Sequence, residues 1–150
     1  MHKKVKYALL VFAMTAMSAQ VMAAGEKNYE GINLAEEYEH FSPKTLELLK
    51  RFDCIDCHRE TNRKLGPSYH DVAERYRGKK TYKYHGFGSK FGSKGSTVEM
   101  PLIPGLVKKV QLGGKGDWYK RTPMPINDEM EQYTAEFTQI IKEILAIPAD

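Results

Sequence analysis

The chain has 150 residues, 23 Lys and Arg against 19 Asp and Glu, a formal net charge of +4 and two cysteines. Its length suits one small domain. Its charge is too slight to grip a nucleic-acid backbone, and two cysteines exclude a multi-bridge disulfide scaffold.

The chain opens on Lys3, Lys4 and Lys6 with no acid among them, followed by the mainly apolar run Tyr7 to Ala19 and then Val21-Met22-Ala23. A basic start, a short apolar stretch and small residues at its end form a secretory signal peptide, here residues 1–23 with cleavage near Ala23. A bilayer span needs about 20 apolar residues, more than this run supplies, and no later stretch offers one. Removing the three lysines takes the formal net charge from +4 to +1. Residues 24–41 form an N-terminal extension with Glu26, Glu30, Glu36, Glu37 and Glu39. It is expected to wrap the surface, with a short helix between Leu34 and Phe41.

Ser42-Pro43 predicts a helix start, with Ser as N-cap and Pro at the first helical position. Leu46, Leu49 and Phe52 then share one face. This helix leads into Cys54-Ile55-Asp56-Cys57-His58, which contains both cysteines of the chain. C-x-x-C-H is the attachment signature of c-type haem. Two thiols three positions apart can each add across one vinyl group, and the next residue, His58, is placed to ligate the iron. One covalent haem c via Cys54 and Cys57 is therefore expected, with no structural disulfide. A redox dithiol calls for a βαβ context, which the chain lacks. A structural zinc site needs four Cys or His ligands, and His40, His70 and His85 are scattered along the chain.

Pro67 to Arg77 predicts a second helix closed by Gly78, with Val72, Ala73 and Tyr76 inward. Residues 78–103 read as a long basic loop punctuated by Gly86, Gly88, Gly92 and Gly95. From Arg75 to Lys94 there are seven Lys or Arg and no acid. No strand pair is expected there. Leu106 to Leu112 predicts a helix ended by Gly113-Gly114. Asn127 is the expected N-cap of the last helix, whose stripe of Tyr133, Phe137, Ile140, Ile141 and Ile144 is amphipathic and which Pro148 stops. The fold expected over residues 42–150 is all-α: short helices packed around one haem.

A second axial ligand should lie downstream of His58. Met100, Met124 and Met130 are the methionine candidates, His70 and His85 the histidine ones. Met124 is preferred. It lies between Pro123 and Pro125, which stiffen the backbone and can hold a thioether in place. Met100-Pro101 is the runner-up.

Four stretches in order carry a family resemblance: Cys54 to His58, Leu65-Gly66-Pro67-Ser68-Tyr69-His70-Asp71-Val72-Ala73, Gly113-Gly114-Lys115-Gly116-Asp117-Trp118, and Pro123-Met124-Pro125. Over about residues 44 to 147 the chain resembles the small bacterial class I cytochromes c of the cytochrome c-551 type. The resemblance implies that the Pro67 carbonyl orients the His58 imidazole. It further implies that the Trp118 indole reaches a haem propionate, and that His58 and Met124 are the metal ligands. Residues 79–103 and 24–41 are longer than the family's usual segments.

The expected role is a periplasmic monohaem carrier of single electrons between redox proteins, not an enzyme. Lys79, Lys80, Lys83, Lys90 and Lys94 are expected to steer an acidic docking partner; dehydrogenases, reductases and terminal oxidases are the partner classes. An alternative is a cytochrome subunit of a periplasmic dehydrogenase complex, for example a sulfite-oxidising one, with the two extra segments as its interface. A ligand-binding or peroxidatic haem protein would require Met124 to stay off the iron. In a cytochrome c′-type bundle the haem motif lies near the C-terminus, whereas here 92 residues follow His58.

Overall fold

Ser42 adopts extended dihedrals (φ −62°, ψ 151°) and its hydroxyl accepts from the Thr45 N–H, so the helix begins at Pro43 as its sequence dictates. In the computed structural model, which describes residues 29, 32–85, 97–114, 118, 123–125 and 128–149, this is the second helix. The first, α1, is the single turn Leu34–Glu37, α2 is Pro43–Arg51 and α3 is the turn Cys54–Cys57. Next come α4 (Tyr69–Tyr76), strands β1 (Thr81–His85) and β2 (Thr97–Pro101), α5 (Leu102–Leu112), a 3-10 segment (Asp128–Tyr133) and α6 (Thr134–Ala146).

Helix α6 is the hub. Phe137, Ile140, Ile141 and Ile144 are all buried, and α6 packs against α2, α4 and α5. Its polar edge is bound to the start of α2. Glu143 accepts from the Ser42 N–H at 2.9 Å, from the Ser42 hydroxyl at 2.9 Å and from the Thr45 hydroxyl at 2.7 Å. The first turn of α2 has orphan N–H groups, and here a carboxylate from another helix answers one of them.

Helix α4 starts two residues later than the pattern suggests. Its N-cap is Ser68, whose hydroxyl accepts from the Asp71 N–H at 3.0 Å. The last helix is also divided. Its expected cap, Asn127, lies outside the described residues, and its first turns are 3-10 before α6 begins at Thr134. Gln111 of α5 donates to the Met130 carbonyl at 3.1 Å and to the Thr134 hydroxyl at 3.0 Å, joining α5 to this junction.

The expectation that residues 78–103 hold no strand pair is overturned. β1 and β2 pair antiparallel, with Thr81 opposite Pro101, Tyr82 opposite Met100 and Lys83 opposite Glu99. Tyr82 and Tyr84 are buried while Thr81 and Lys83 are exposed, the two-residue alternation of a half-buried strand. Residues 86–96 lie outside the described residues. Helix α5 likewise begins four residues before the expected Leu106. Pro104 sits in the first turn, where its missing N–H costs nothing. Gly105 is buried against the Tyr82 ring, and a Cβ there would come within 2.8 Å of it. The residues just before Leu106 are thus a helix start packed on a strand.

The segment before α2 is not only a surface wrap. Tyr38 and Phe41 are buried, and both pack against Tyr69, with ring centroids 6.3 and 5.2 Å away. Tyr38 thereby becomes part of the wall behind His58.

Candidate functional site

Cys54 and Cys57 are the ends of α3. The turn is set by Asp53, which has a left-handed backbone (φ 56°) that Asp tolerates better than most residues. Both sulfurs are free thiols, neither bridged to the other. Burial pushes the Cys54 thiol up to about 12. A reactive thiol has the opposite shift.

His58 leaves the turn in extended conformation, its N–H bonded to Cys54 O at 2.9 Å. Three contacts then hold it. Its Nδ1–H donates to the Pro67 carbonyl at 2.8 Å. Its own carbonyl accepts from the Tyr38 hydroxyl at 2.7 Å. The Tyr69 ring stacks on the imidazole with centroids 5.5 Å apart and planes 11° from parallel. Burial lowers the His58 pKa, with the Pro67 bond opposing, so the ring is neutral at physiological pH. Burial also pushes the Tyr38 phenol up to about 12, the nearby Arg59 opposing; it remains a donor.

Gly66 closes this arrangement. Its N–H donates to Cys57 O at 2.8 Å, and a Cβ in its place would fall inside contact distance of the His58 ring, 2.7 Å from Nδ1 and 2.8 Å from Nε2. No side chain fits between this backbone and the imidazole.

Met124 is held from the other end of the chain. Gly114 and Met124 form an antiparallel bridge, N–H to carbonyl at 3.0 and 3.1 Å. Gly113 has φ 63°, and a Cβ on it would collide with the carbonyls of Met124 and Pro125. The glycine pair that ends α5 thus also fixes the Met124 backbone.

These residues meet. Cys54, Cys57, His58, Pro67, Trp118 and Met124 all line one cavity of about 610 Å³, within the range of cofactor pockets. The rest of its wall is largely apolar and includes Leu106, Val110, Ile140 and Ile144. Met130 also lines it. Met100 lies on β2 opposite Tyr82 and is not among the described lining residues; neither is His70. The guanidinium of Arg75 sits 4.5 Å above the Trp118 ring. Two thiols, an imidazole held by the Pro67 carbonyl and a thioether around a largely apolar space are the donor set of a c-type haem, and the residues present fit that group. Tyr38, which backs His58, carried no local signal: its role depends on a contact twenty positions away.

No family model matches the chain. It is 33% identical to cytochrome c-551 of Pseudomonas denitrificans over 73 residues, 48% of this chain and 89% of that protein. It is 30% identical to cytochrome c-552 of Hydrogenobacter thermophilus over 101 residues, 67% of this chain and 79% of that protein. The crystal structure of Nitrosomonas europaea cytochrome c552 matches with a TM-score of 0.46 and 24% identity, covering 68% of this chain and 98% of that one. The two sequence relationships, with the C-x-x-C-H turn, show that the chain belongs to the class I monohaem cytochromes c. It is a small c-type cytochrome with covalent haem c as cofactor, and its general role is electron carriage.

Proposed function

We propose that the protein is a periplasmic electron carrier whose haem is attached through Cys54 and Cys57 and whose iron is ligated by His58 and Met124. The convergence of these four side chains with Pro67 and Trp118 on one apolar cavity carries this reading. Bound there, the haem supplies a one-electron couple between ferric and ferrous iron.

Each part of the chain has a task. Cys54 and Cys57 present two thiols from one turn. His58 spends Nδ1 on the Pro67 carbonyl, which selects the tautomer that leaves Nε2 for the metal and makes the imidazole more basic. Met124 offers a soft thioether, which favours ferrous iron and raises the potential. Trp118, which lines the cavity, would offer its indole N–H to a propionate. The apolar wall keeps water from the metal. With His58 and Met124 both holding the iron, no position would be left for a substrate, in keeping with a carrier rather than an enzyme.

Residues 1–23 direct export and are removed near Ala23; residues 24–41 and 42–150 make up the exported chain. Lys79, Lys80 and Lys83 are exposed and dock an acidic redox partner. Oxidised and reduced visible spectra of the protein and of Met124→Ala test the ligation. A low-spin spectrum with a weak sulfur-to-iron band at its red end is expected, and that band should vanish in the variant. A band that survives moves the ligand to another methionine, and a high-spin spectrum in the unsubstituted protein sinks the carrier reading.

A further inference from the structure

Outside the haem cavity, three side chains far apart in the sequence converge. His40, Glu60 and His70 each offer one ligand atom, and these atoms lie within 4.8 Å of one another. Glu60 is 0% exposed, a rare place for a carboxylate unless it is paired or coordinates a metal. Its partner is His40, whose Nδ1 lies 2.5 Å from Oε1 and whose backbone N–H donates to Oε2 at 3.3 Å. The main chain holds the other pair in place. Tyr69 N–H donates to Arg59 O and His70 N–H to Glu60 O, each at 3.0 Å, so Glu60 and His70 stand side by side on bonded backbone. The two imidazoles lie edge to face with centroids 5.6 Å apart. The His40 side chain is 30% exposed and leaves an approach from solvent. Glu39 adds a carboxylate 3.9 Å from His40 Nδ1.

We propose that His40, Glu60 and His70 form a binding site for a divalent transition metal, zinc fitting it best. Two imidazoles and one carboxylate are an established zinc donor set, with the fourth tetrahedral position open to water. Imidazole nitrogens select zinc, copper or nickel over magnesium and calcium, which take oxygen ligands. Bonds of about 2.0–2.2 Å place tetrahedral ligand atoms about 3.3 Å apart. Atoms already within 4.8 Å reach that spacing by side-chain adjustment, without moving the bonded backbone. The metal takes the place of the contact now made between His40 Nδ1 and Glu60 Oε1.

The test uses the untagged haem-loaded protein, stripped by chelator and titrated with zinc chloride in a calorimeter, beside His40→Ala and His70→Ala. Visible spectra and thermal midpoints are recorded for all three. One zinc per chain is expected. Each variant should bind more than about 10-fold more weakly, since loss of even a partner behind a ligand costs that much. The haem spectrum should not change. Absence of saturable uptake at millimolar zinc overturns the proposal, as does uptake that survives both substitutions. Should His70→Ala fail to fold, His40→Ala, on the partly exposed side, decides by the same criterion.

Discussion

At His58, the orientation of the ring is set by groups of the surrounding chain. The Pro67 carbonyl accepts from Nδ1, Tyr38 holds the carbonyl and Tyr69 stacks on the ring. Gly66 permits the ring to lie where it does, because any Cβ there meets three imidazole atoms. The ring cannot yield without breaking its Pro67 bond. Gly66→Ala should therefore destabilise the protein by about 1–3 kcal/mol, the usual cost of overpacking a filled site. It should also raise the reduction potential, because an imidazole that loses its hydrogen-bond acceptor becomes a less basic ligand to ferric iron. Spectroelectrochemical titration with urea melts checks both, and an unchanged potential would show that the ring keeps its bond.

At the scale of elements, the joint between α2 and α6 depends on Glu143. Burial raises the cost of its charge, but bonds from Thr45, Ser42 and Gln139 outweigh that and hold its pKa below the ordinary 4.5. Since the folded pKa is the lower one, this contribution is complete above the unfolded value and is lost as pH falls through the folded one. Hydrogen bonds to a charged group are worth about 1.5–3 kcal/mol when well buried, and somewhat less at a half-buried joint like this. Glu143→Gln should thus lower stability at pH 7 by about 1–2 kcal/mol, and the gap should narrow in acid. Urea midpoints of both proteins at neutral and acid pH measure it; a gap independent of pH would mean that the charge is not what matters.

For the whole molecule, the cavity decides stability. Residual cavity in a packed core costs about 24 cal/mol per Å³. A cofactor that fills about 610 Å³ of largely apolar space and binds only the folded chain removes a cost of this kind. The chain without haem should melt far below the haem-loaded protein, and equal midpoints would show that the helices pack without the cofactor. Charge acts at the same scale. Reversing Lys79, Lys80 and Lys83 should slow electron transfer to an acidic partner at low salt, with the difference fading as salt screens it. A rate that does not change at low salt would remove these lysines from docking.

Much of this protein was legible along the chain because its signals are local. The Cys54-to-His58 turn, the Ser42 cap and the apolar stripe of α6 need only neighbours within a turn or two, and residues this close interact through the helix itself. The alternation of Tyr82 and Tyr84 with Thr81 and Lys83 was equally present, but the glycines beyond it suggested a loop. Only the packing of Tyr82 on Gly105 showed a hairpin against a helix. Tertiary structure alone decided what meets across long separations. It brought Tyr38 to His58, fixed Met124 to Gly114 and gathered His40, Glu60 and His70 into one cluster. Sequence by itself determined the residue types, their local conformation and the haem-binding turn. Which side chains share a cavity or a metal follows from how the elements pack, a sum of long-range burial and hydrogen bonding that no single stretch of the chain contains.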